Sequence, residues 1–399
     1  MRRPWKHSPA TLHLRIYSDD NMDVENLLSK LVSIDSSFPN ESRIGEFIEG
    51  YLRETGMVTR RQYVSEGRFN IFAERKGRGK PILLYGHMDT VIPHGRWHTN
   101  PLKLERDGDR LIGLGACDMK GGLAAILSGL AASRDRALKA VFCVDEENIS
   151  VGGWKALSSD RRWFSGVAIA LSGDSGHSEK YKGGADVITA GRRGRVVINI
   201  DVRGFAFHGA QPKKGINAID EASKIVLRLN GLKLMKHRAL GSETAFANLF
   251  EGRSTGLAIP ESARIGIDLH LVPPDTGTKA KQRVEELVRR LKREGTLDRR
   301  TMVEVSVAKR ETPYIDPYET RLSEESVRRV IRVVDERCGT HHVNYGSSVA
   351  DDNIISNVLH VPVITIAPNG DNPHAENEWV SRKGLVEVAS LYAELIERI

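Results

Sequence analysis

Four short apolar runs, each followed by a polar cluster, constrain the fold of this chain more than any other feature. The runs cover residues 81–85, 140–144, 166–171 and 361–367. Continuous apolar runs of this length are typical of strands that are buried on both faces of a sheet. Helical spacing at 121–133 and 323–337 lies between the runs and predicts α/β crossovers. We therefore predict an α/β fold in which these strands share one sheet.

The middle of the chain has a different pattern, with half-buried strands that alternate between apolar and polar residues and with charged helices. These strands and helices are expected at 196–200, 264–269, 217–229 and 281–293. The pattern predicts a compact α+β unit of about 110–120 residues that is inserted between strands of the first domain. We place the insert at 192–308 and the first domain at 22–191 and 309–399.

Composition excludes several classes of protein but does not select one. The 399 residues carry a net charge of +7, which is mild for this length. No nucleic-acid-binding module is recognisable around the basic residues Arg192, Arg193 and Arg195, so we predict no nucleic-acid partner. No apolar run reaches the roughly 18 residues of a membrane-spanning helix, so we predict no membrane partner.

The cysteines and the first residues of the chain bear on its cellular setting. Cys117, Cys143 and Cys338 are too scattered for a disulfide framework, so we expect a reducing, cytoplasmic setting. Charged side chains interrupt the apolar residues of the segment 1–21, which therefore lacks the core of a signal peptide. We expect this segment to be a poorly ordered extension.

Polar residues that can act on a ligand follow the apolar runs. They are, in chain order, His87 and Asp89, then Asp145, Glu146 and Glu147, then Asp174, and finally His374. In sheets of this kind, ligands bind beyond the carboxyl ends of the strands. Each cluster also has a simpler interpretation: His87 and Asp89 as a solvated loop, and residues 145–147 as an exposed acidic turn. Asp118, which precedes a predicted helix, has the helix N-cap as its alternative.

Taken together, these residues include an oxygen-rich set with two imidazoles: His87, Asp118, Glu147, Asp174 and His374. Such side chains suit Zn²⁺, Co²⁺ or Mn²⁺. With one bridging carboxylate, they could hold two metal ions about 3.5–4 Å apart, an arrangement typical of hydrolases. The adjacent Glu146 could then move protons to and from the attacking water.

The order and spacing of these motifs are similar to those of a known family. The motifs are GHMDTV at 86–91, GRW at 95–97, GACDMKG at 115–121, DEE at 145–147 and HAENEW at 374–379. From about residue 22 onwards, the chain resembles the metal-dependent deacylase and peptidase family of acetylornithine deacetylase, succinyl-diaminopimelate desuccinylase, aminoacylase and glutamate carboxypeptidase. The resemblance implies a zinc-exopeptidase-like fold: a mixed, largely parallel sheet flanked by helices, with an inserted α+β domain that serves as lid and dimerisation unit.

The resemblance also implies a role for each residue of the cluster. The implied metal ligands are His87, Asp118 and Asp174 for one ion, and Asp118, Glu147 and His374 for the other. Glu146 would be the general base, and Asp89 would orient His87. The implied cofactors are two divalent ions, with zinc as the first choice and cobalt or manganese as alternatives.

Three further residues receive roles only from the resemblance. His208, in the sequence FHGAQP, matches a lid histidine that stabilises the oxyanion, often across a dimer. Arg310 and Asn217 match positions that bind substrate, and the guanidinium of Arg310 suits a substrate carboxylate. The alternative for Arg310 is an ordinary surface arginine. Two family motifs are replaced, by LAIP at 257–260 and DLH at 268–270, which implies that the lid contacts substrate differently.

These implications define the predicted function. We predict a two-metal amidohydrolase that removes the acyl group from an N-acyl amino acid, acts as a homodimer through its lid, and has acetylornithine as its first candidate substrate. Alternatives are succinyl-diaminopimelate desuccinylation, dipeptidase or carboxypeptidase activity, and release of lysine or ornithine from an acidic amino-group carrier protein, which a net charge of +7 would suit. Outside this class, the alternative is a non-catalytic binding protein.

Overall fold

The computed structural model describes residues 24–133, 135–176, 178 and 180–399. The predicted extension at 1–21 lies outside the described residues. The α-helices are α1 (Val24–Ser33), α2 (Ser42–Glu54), α3 (Gly121–Ala132), α4 (Val151–Ser159), α5 (Ala218–Val226), α6 (Gly277–Arg293), α7 (Glu325–Cys338), α8 (Asp351–Ile354) and α9 (Arg382–Arg398). Among the described helices, none has the length and apolar character needed to cross a membrane.

Within the described ranges, the β-strands form four sheets. They are β1 (Val58–Ser65), β2 (Arg68–Arg75), β3 (Arg78–His87), β4 (Glu105–Asp107), β5 (Arg110–Ile112), β6 (Arg136–Cys143), β7 (Ile169–Ser172), β8 (Val187–Arg192), β9 (Gly194–Arg203), β10 (Lys236–His237), β11 (Gly241–Ser242), β12 (Thr244–Gly252), β13 (Ser262–Leu271), β14 (Met302–Val307), β15 (Tyr318–Glu319), β16 (His342–Gly346), β17 (Val363–Thr365), β18 (Gly370–Asp371) and β19 (Trp379–Ser381). Strands β10 and β11 pair only with each other among the described residues.

The main sheet has the order β1-β2-β6-β3-β7-β17-β8-β15, and β16 pairs with β8 beside this path. Strands β6, β3, β7 and β17 are parallel neighbours. Strands β1, β2, β8 and β15 add antiparallel pairings at the two sides. The expected strands at 81–85, 140–144 and 166–171 correspond to β3, β6 and β7. The prediction of a mixed, largely parallel sheet flanked by helices is confirmed.

The parallel strands are continuously apolar because helices cover both faces of the sheet. In β3, Ile82 and Leu84 pack in a core with residues of α1, α2, α3, α7 and α9. Their neighbours Leu83 and Tyr85 pack in a second core with residues of α4 and α8. Successive side chains of a strand point to opposite faces, so a strand between two helical layers needs an apolar residue at every position. Each such side chain that is fully buried contributes roughly 1.5–3 kcal/mol to stability.

A separate antiparallel sheet has the order β12-β13-β9-β14. Its inner face shares one apolar core with α5 and α6, in which Ile198 and Ile267 of the sheet lie with Val284 and Leu287 of α6. The predicted insert at 192–308 encloses this sheet, and its standing as a separate domain stays a prediction. Because Arg192 is the last residue of β8, it belongs to the main sheet rather than to the antiparallel one.

A small sheet with the order β18-β19-β5-β4 differs from the expectation for the fourth apolar run. The strand in that run, β17, ends at Thr365, and the chain then passes into β18 of the small sheet. His374 lies in the turn between β18 and β19, with φ of 60°. The second histidine of the predicted cluster therefore comes from a loop of another sheet and not from the end of a parallel strand.

Candidate metal centre

The parallel strands of the main sheet bring most of the predicted ligands to one edge. His87 is the last residue of β3, Glu147 lies shortly after β6, and Asp174 lies shortly after β7. Because parallel neighbours end at the same edge of a sheet, these side chains meet there. His374 reaches the same place from the turn after β18.

Asp118 lies in the kinked segment Ala116–Lys120 directly before α3; its own backbone is not helical, with φ of −126° and ψ of 98°, and it is not the N-cap of that helix. The start of α3 packs closely on the segment after β7: a Cβ at Gly122 would lie 1.9 Å from the carbonyl oxygen of Gly173. Only a glycine permits this approach of two backbones. The approach places the segment that carries Asp118 beside Asp174.

The five predicted ligands form two groups that share Asp118. In the first group, Nε2 of His87 lies 3.2 Å from Oδ1 of Asp118 and 3.9 Å from Oδ1 of Asp174. In the second, Nε2 of His374 lies 2.8 Å from Oε2 of Glu147 and 3.5 Å from Oδ2 of Asp118. Within each group, one ligand atom per residue lies within 4.8 Å of the others. Asp118 thus turns one carboxylate oxygen to each group.

The charges of this cluster fit divalent cations. Hydrogen bonds to Asp118 and Glu147 raise the pKa of His374 to about 11, and burial raises the pKa of Asp174 to about 8. The first shift reflects two carboxylates beside one imidazole, and the second reflects burial of Asp174, which the nearby charge of Arg192 opposes. Oε1 of Glu147 is also buried and has no hydrogen-bond partner. Because a buried carboxylate oxygen without a partner is costly, the cluster suits a bound metal ion.

Asp89 acts on the cluster differently from the expectation that its carboxylate orients His87. The atom closest to Nδ1 of His87 is the backbone oxygen of Asp89, at 3.0 Å, whereas its Oδ1 is 3.7 Å away. The Asp89 carboxylate instead accepts hydrogen bonds from the backbone N–H groups of Glu146 and Glu147, at 3.1 and 3.0 Å. Asp89 therefore positions both the imidazole and the two glutamates.

Two buried residues that we did not predict as part of the site support its ligands. Arg192 donates from Nη2 to Oδ2 of Asp174 and from Nε to Oδ2 of Asp352, both at 2.9 Å. Glu378 accepts backbone hydrogen bonds of 2.7–2.8 Å from Gly115, Cys117 and Asp118. The sequence presents Arg192 as one of several basic residues and Glu378 as part of the HAENEW motif. Arginine and glutamate are usually exposed, so the sequence alone does not indicate that these two side chains are buried.

A pocket of about 180 Å³ opens beside the second ligand group. Glu146, Glu147 and His374 of the cluster line it, and Arg310 lines it as well. Burial raises the pKa of Glu146 well above its ordinary value, against the opposing charge of His87. A carboxyl group with a raised pKa can both accept and release a proton near neutral pH.

The two other predicted residues lie elsewhere. His208 is exposed, forms an isolated bridge with Ala258, and accepts a hydrogen bond at Nδ1 from the backbone of Ala210. Asn217 caps α5, because its side chain accepts a hydrogen bond from the N–H of Ile219 at 3.0 Å. Among the described residues, neither side chain lines the pocket or joins a ligand group.

The sequence of this chain is similar to those of several known hydrolases. Succinyl-diaminopimelate desuccinylase from Nautilia profundicola is 31% identical over 219 residues, which are 53% of this chain and 58% of that protein. Carboxypeptidase G2 from Pseudomonas sp. strain RS-16 is 32% identical over 225 residues, which are 53% of this chain and 52% of that protein. The chain therefore matches less than two thirds of the length of these relatives.

A solved structure shows the same fold over nearly the whole chain. Aminopeptidase PepT from Bacillus cereus superposes with a TM-score of 0.75 at 19% identity, covering 94% of this chain and 97% of the other. The profile of peptidase family M20/M25/M40 matches residues 83–398. This match includes every predicted ligand and confirms the resemblance drawn from the motifs. The chain belongs to peptidase family M20/M25/M40.

Proposed function

We propose that this protein is a two-metal amidohydrolase that cleaves the bond between an acyl group and the amine of an amino acid. The observation that carries the proposal is the pair of ligand groups that share Asp118 beside a pocket lined by Glu146. A non-catalytic binding protein is less well supported, because the ligand set is complete and a group suited to proton transfer faces the same pocket.

The residues of the pocket suggest how the reaction proceeds. Two divalent ions held by the ligand groups would supply Lewis acidity towards the amide carbonyl and the attacking water. The Glu146 carboxylate takes one proton from that water, whose oxygen adds to the carbonyl carbon. As the C–N bond breaks, Glu146 returns the proton to the leaving amine. Arg310 lies on the pocket wall, where its guanidinium can bind the carboxylate of the amino acid.

A homodimer would supply an oxyanion contact that His208 does not make within the described part of a single chain. Strand β12 is an edge strand of the antiparallel sheet, and its side chains Phe246, Leu249 and Phe250 are 49%, 37% and 43% exposed. Such an edge offers unpaired backbone groups and apolar surface to a second copy. His208 of one copy would then donate to the oxyanion in the pocket of the other. This contact would make the site complete only in the dimer.

Several finer statements belong to the proposal. Zinc is the first choice of metal, since two imidazoles and carboxylates suit it, with cobalt and manganese as alternatives. Acetylornithine, succinyl-diaminopimelate, peptides and a lysine- or ornithine-loaded carrier protein are the candidate substrates. The metal cluster does not separate them, because it would contact only the amide. The cytoplasmic setting rests on the three scattered cysteines.

The test combines metal content with hydrolysis. The purified protein is analysed for metals and assayed for free amine with N-acetyl, N-succinyl and dipeptide substrates. We expect two divalent ions per chain and turnover, and we expect Asp118→Asn to lose both metal and turnover because it removes the shared charge. Asp201→Asn, at an exposed ion pair with Arg264, is the matched control. Bound metal without turnover on any substrate would support the binding protein instead.

A further inference from the structure

The pocket beside the metal cluster is lined by three kinds of residue. Glu146, Glu147 and His374 belong to the site described above. Arg195 and Arg310 contribute two guanidinium groups, and apolar residues that include Ile149, Ile315 and Val349 form what we call its apolar wall. Each kind of residue sets a condition on the substrate.

The two arginines differ in their partners. Arg195 is neutralised by Asp268, to which it donates from Nη2 at 2.6 Å and from Nε at 3.1 Å. Arg310 donates from Nη2 to the backbone oxygen of Ile149 and to Oγ1 of Thr312, both at 2.7 Å. Both acceptors are neutral, and Nε of Arg310 is buried without a partner. Among the described residues, Arg310 therefore makes no salt bridge, although it lies over the ring of Tyr314 and is influenced by the charge of Asp145.

In the described part of the pocket lining, no carboxylate outside the metal site could pair with a cationic substrate. Among the described residues that line the pocket, the carboxylates are Glu146 and Glu147, and both belong to the metal site. Asn148 and Ser150 are polar lining residues but carry no charge. An ammonium group in this pocket would lose its hydration without gaining an ion pair, which is costly. An alkyl group would instead contact the apolar wall.

Resting on the proposed amidohydrolase function, we propose that the enzyme selects N-acyl amino acids with an uncharged, apolar side chain. The free carboxylate of the substrate pairs with Arg310, and the side chain packs against Ile149, Ile315 and Val349. This preference disfavours ornithine, lysine and diaminopimelate derivatives, which carry a second amine. It runs against the acetylornithine candidate that the motifs suggested.

A matched pair of substrates tests this selectivity directly. N-acetyl-L-norleucine and N-acetyl-L-ornithine have side chains of equal length that differ in a terminal methyl or ammonium group. At about pH 7.5 the ammonium is charged. We expect kcat/KM to be at least about tenfold higher for N-acetyl-L-norleucine than for N-acetyl-L-ornithine, because the ornithine side chain must bury an unpaired charge. Equal values, or a preference for ornithine, would overturn the selectivity while leaving the amidohydrolase function intact.

A substitution in the apolar wall should reverse the preference. Val349→Asp adds a carboxylate that can pair with the ornithine ammonium. Val349→Asn is the control, because asparagine has nearly the same shape as aspartate but carries no charge. We expect the norleucine-to-ornithine ratio of kcat/KM to fall by about tenfold or more in the Asp variant relative to the Asn variant. An unchanged ratio in folded, metal-loaded variants would show that this wall does not contact the side chain. Loss of turnover on every N-acyl and peptide substrate, in the wild-type enzyme, would remove the proposed function itself.

Discussion

The metal cluster and the antiparallel sheet differ in how their predicted residues are held. His87 and Asp89 are 2% and 1% exposed, and each is fixed by contacts to neighbouring residues of the site. His208 is exposed, and Asn217 serves as a helix cap. The cluster is thus complete within one chain, whereas the residues predicted in the insert have, among the described residues, no contact with it.

Under the proposed dimer, this difference separates residues that act within one chain from a residue that acts between chains. The ends of parallel strands fix their side chains relative to one another, because neighbouring strands share hydrogen bonds. A loop of the antiparallel sheet has no such restraint relative to the cluster. We therefore expect substitutions in the cluster to act within a chain, and His208 to act between chains.

The largest effect is expected from Glu146→Gln, which keeps the shape of the side chain but removes its ability to accept a proton. We expect kcat for N-acyl amino acids to fall about 10²–10⁴-fold, with metal content unchanged. Turnover and metal analysis measure the two quantities separately. Glu285→Gln, on the surface of α6, is the control. A variant with full activity would exclude Glu146 as the base.

The next effect is expected from His208→Ala, which removes the proposed oxyanion contact and should lower kcat about 10²–10³-fold. Mixing this variant with Glu146→Gln separates the two regions. If His208 acts across a dimer, half of the re-formed dimers are mixed, and one of their two sites has both residues. Activity should then return to about a quarter of the wild-type value. Recovery would be absent if His208 acted on its own chain.

The ligand cluster could be predicted from the sequence because histidines and carboxylates are unusual directly after buried apolar strands. Apolar runs that end in histidines and carboxylates predict both buried strands and the edge at which ligands meet, and the structure places His87, Glu147 and Asp174 there. The same reasoning misplaced His374 at the end of a strand, because a short apolar run does not show which sheet the following residues join.

The supporting residues were not predictable for a physical reason. Arg192 is buried between Asp174 and Asp352, which lie 18 and 160 residues from it in sequence, and no local pattern indicates this contact. The acceptors of Glu378 are backbone N–H groups, which every residue has and which carry no sequence signal. The pocket wall is similar, since Ile149, Ile315 and Val349 come from separate segments and become neighbours only in the fold.

A smaller effect, on metal affinity, is expected from Arg192→Lys. Lysine keeps the charge, but a single ammonium cannot reproduce the two separate hydrogen bonds to Asp174 and Asp352. We expect zinc affinity to fall about 10–100-fold, as for other residues that orient metal ligands. Titration against a competing chelator measures it, with Arg193→Lys as the neighbouring control. Unchanged affinity would show that Asp174 holds its orientation without Arg192.

The smallest effect is expected at Asn217, where the structure shows a cap and the family resemblance implies a substrate contact. Asn217→Ala should lower the free energy of unfolding by about 1 kcal/mol, because α5 loses its N-cap, and Asn217→Ser should restore most of it. Denaturant unfolding of the metal-loaded protein measures this difference. KM separates the two roles: an increase in both variants would establish the substrate contact, and an increase in neither would limit Asn217 to the cap. The second outcome would sharpen the contrast between the regions, leaving His208 as the one residue of the predicted insert for which a role at the site is still proposed.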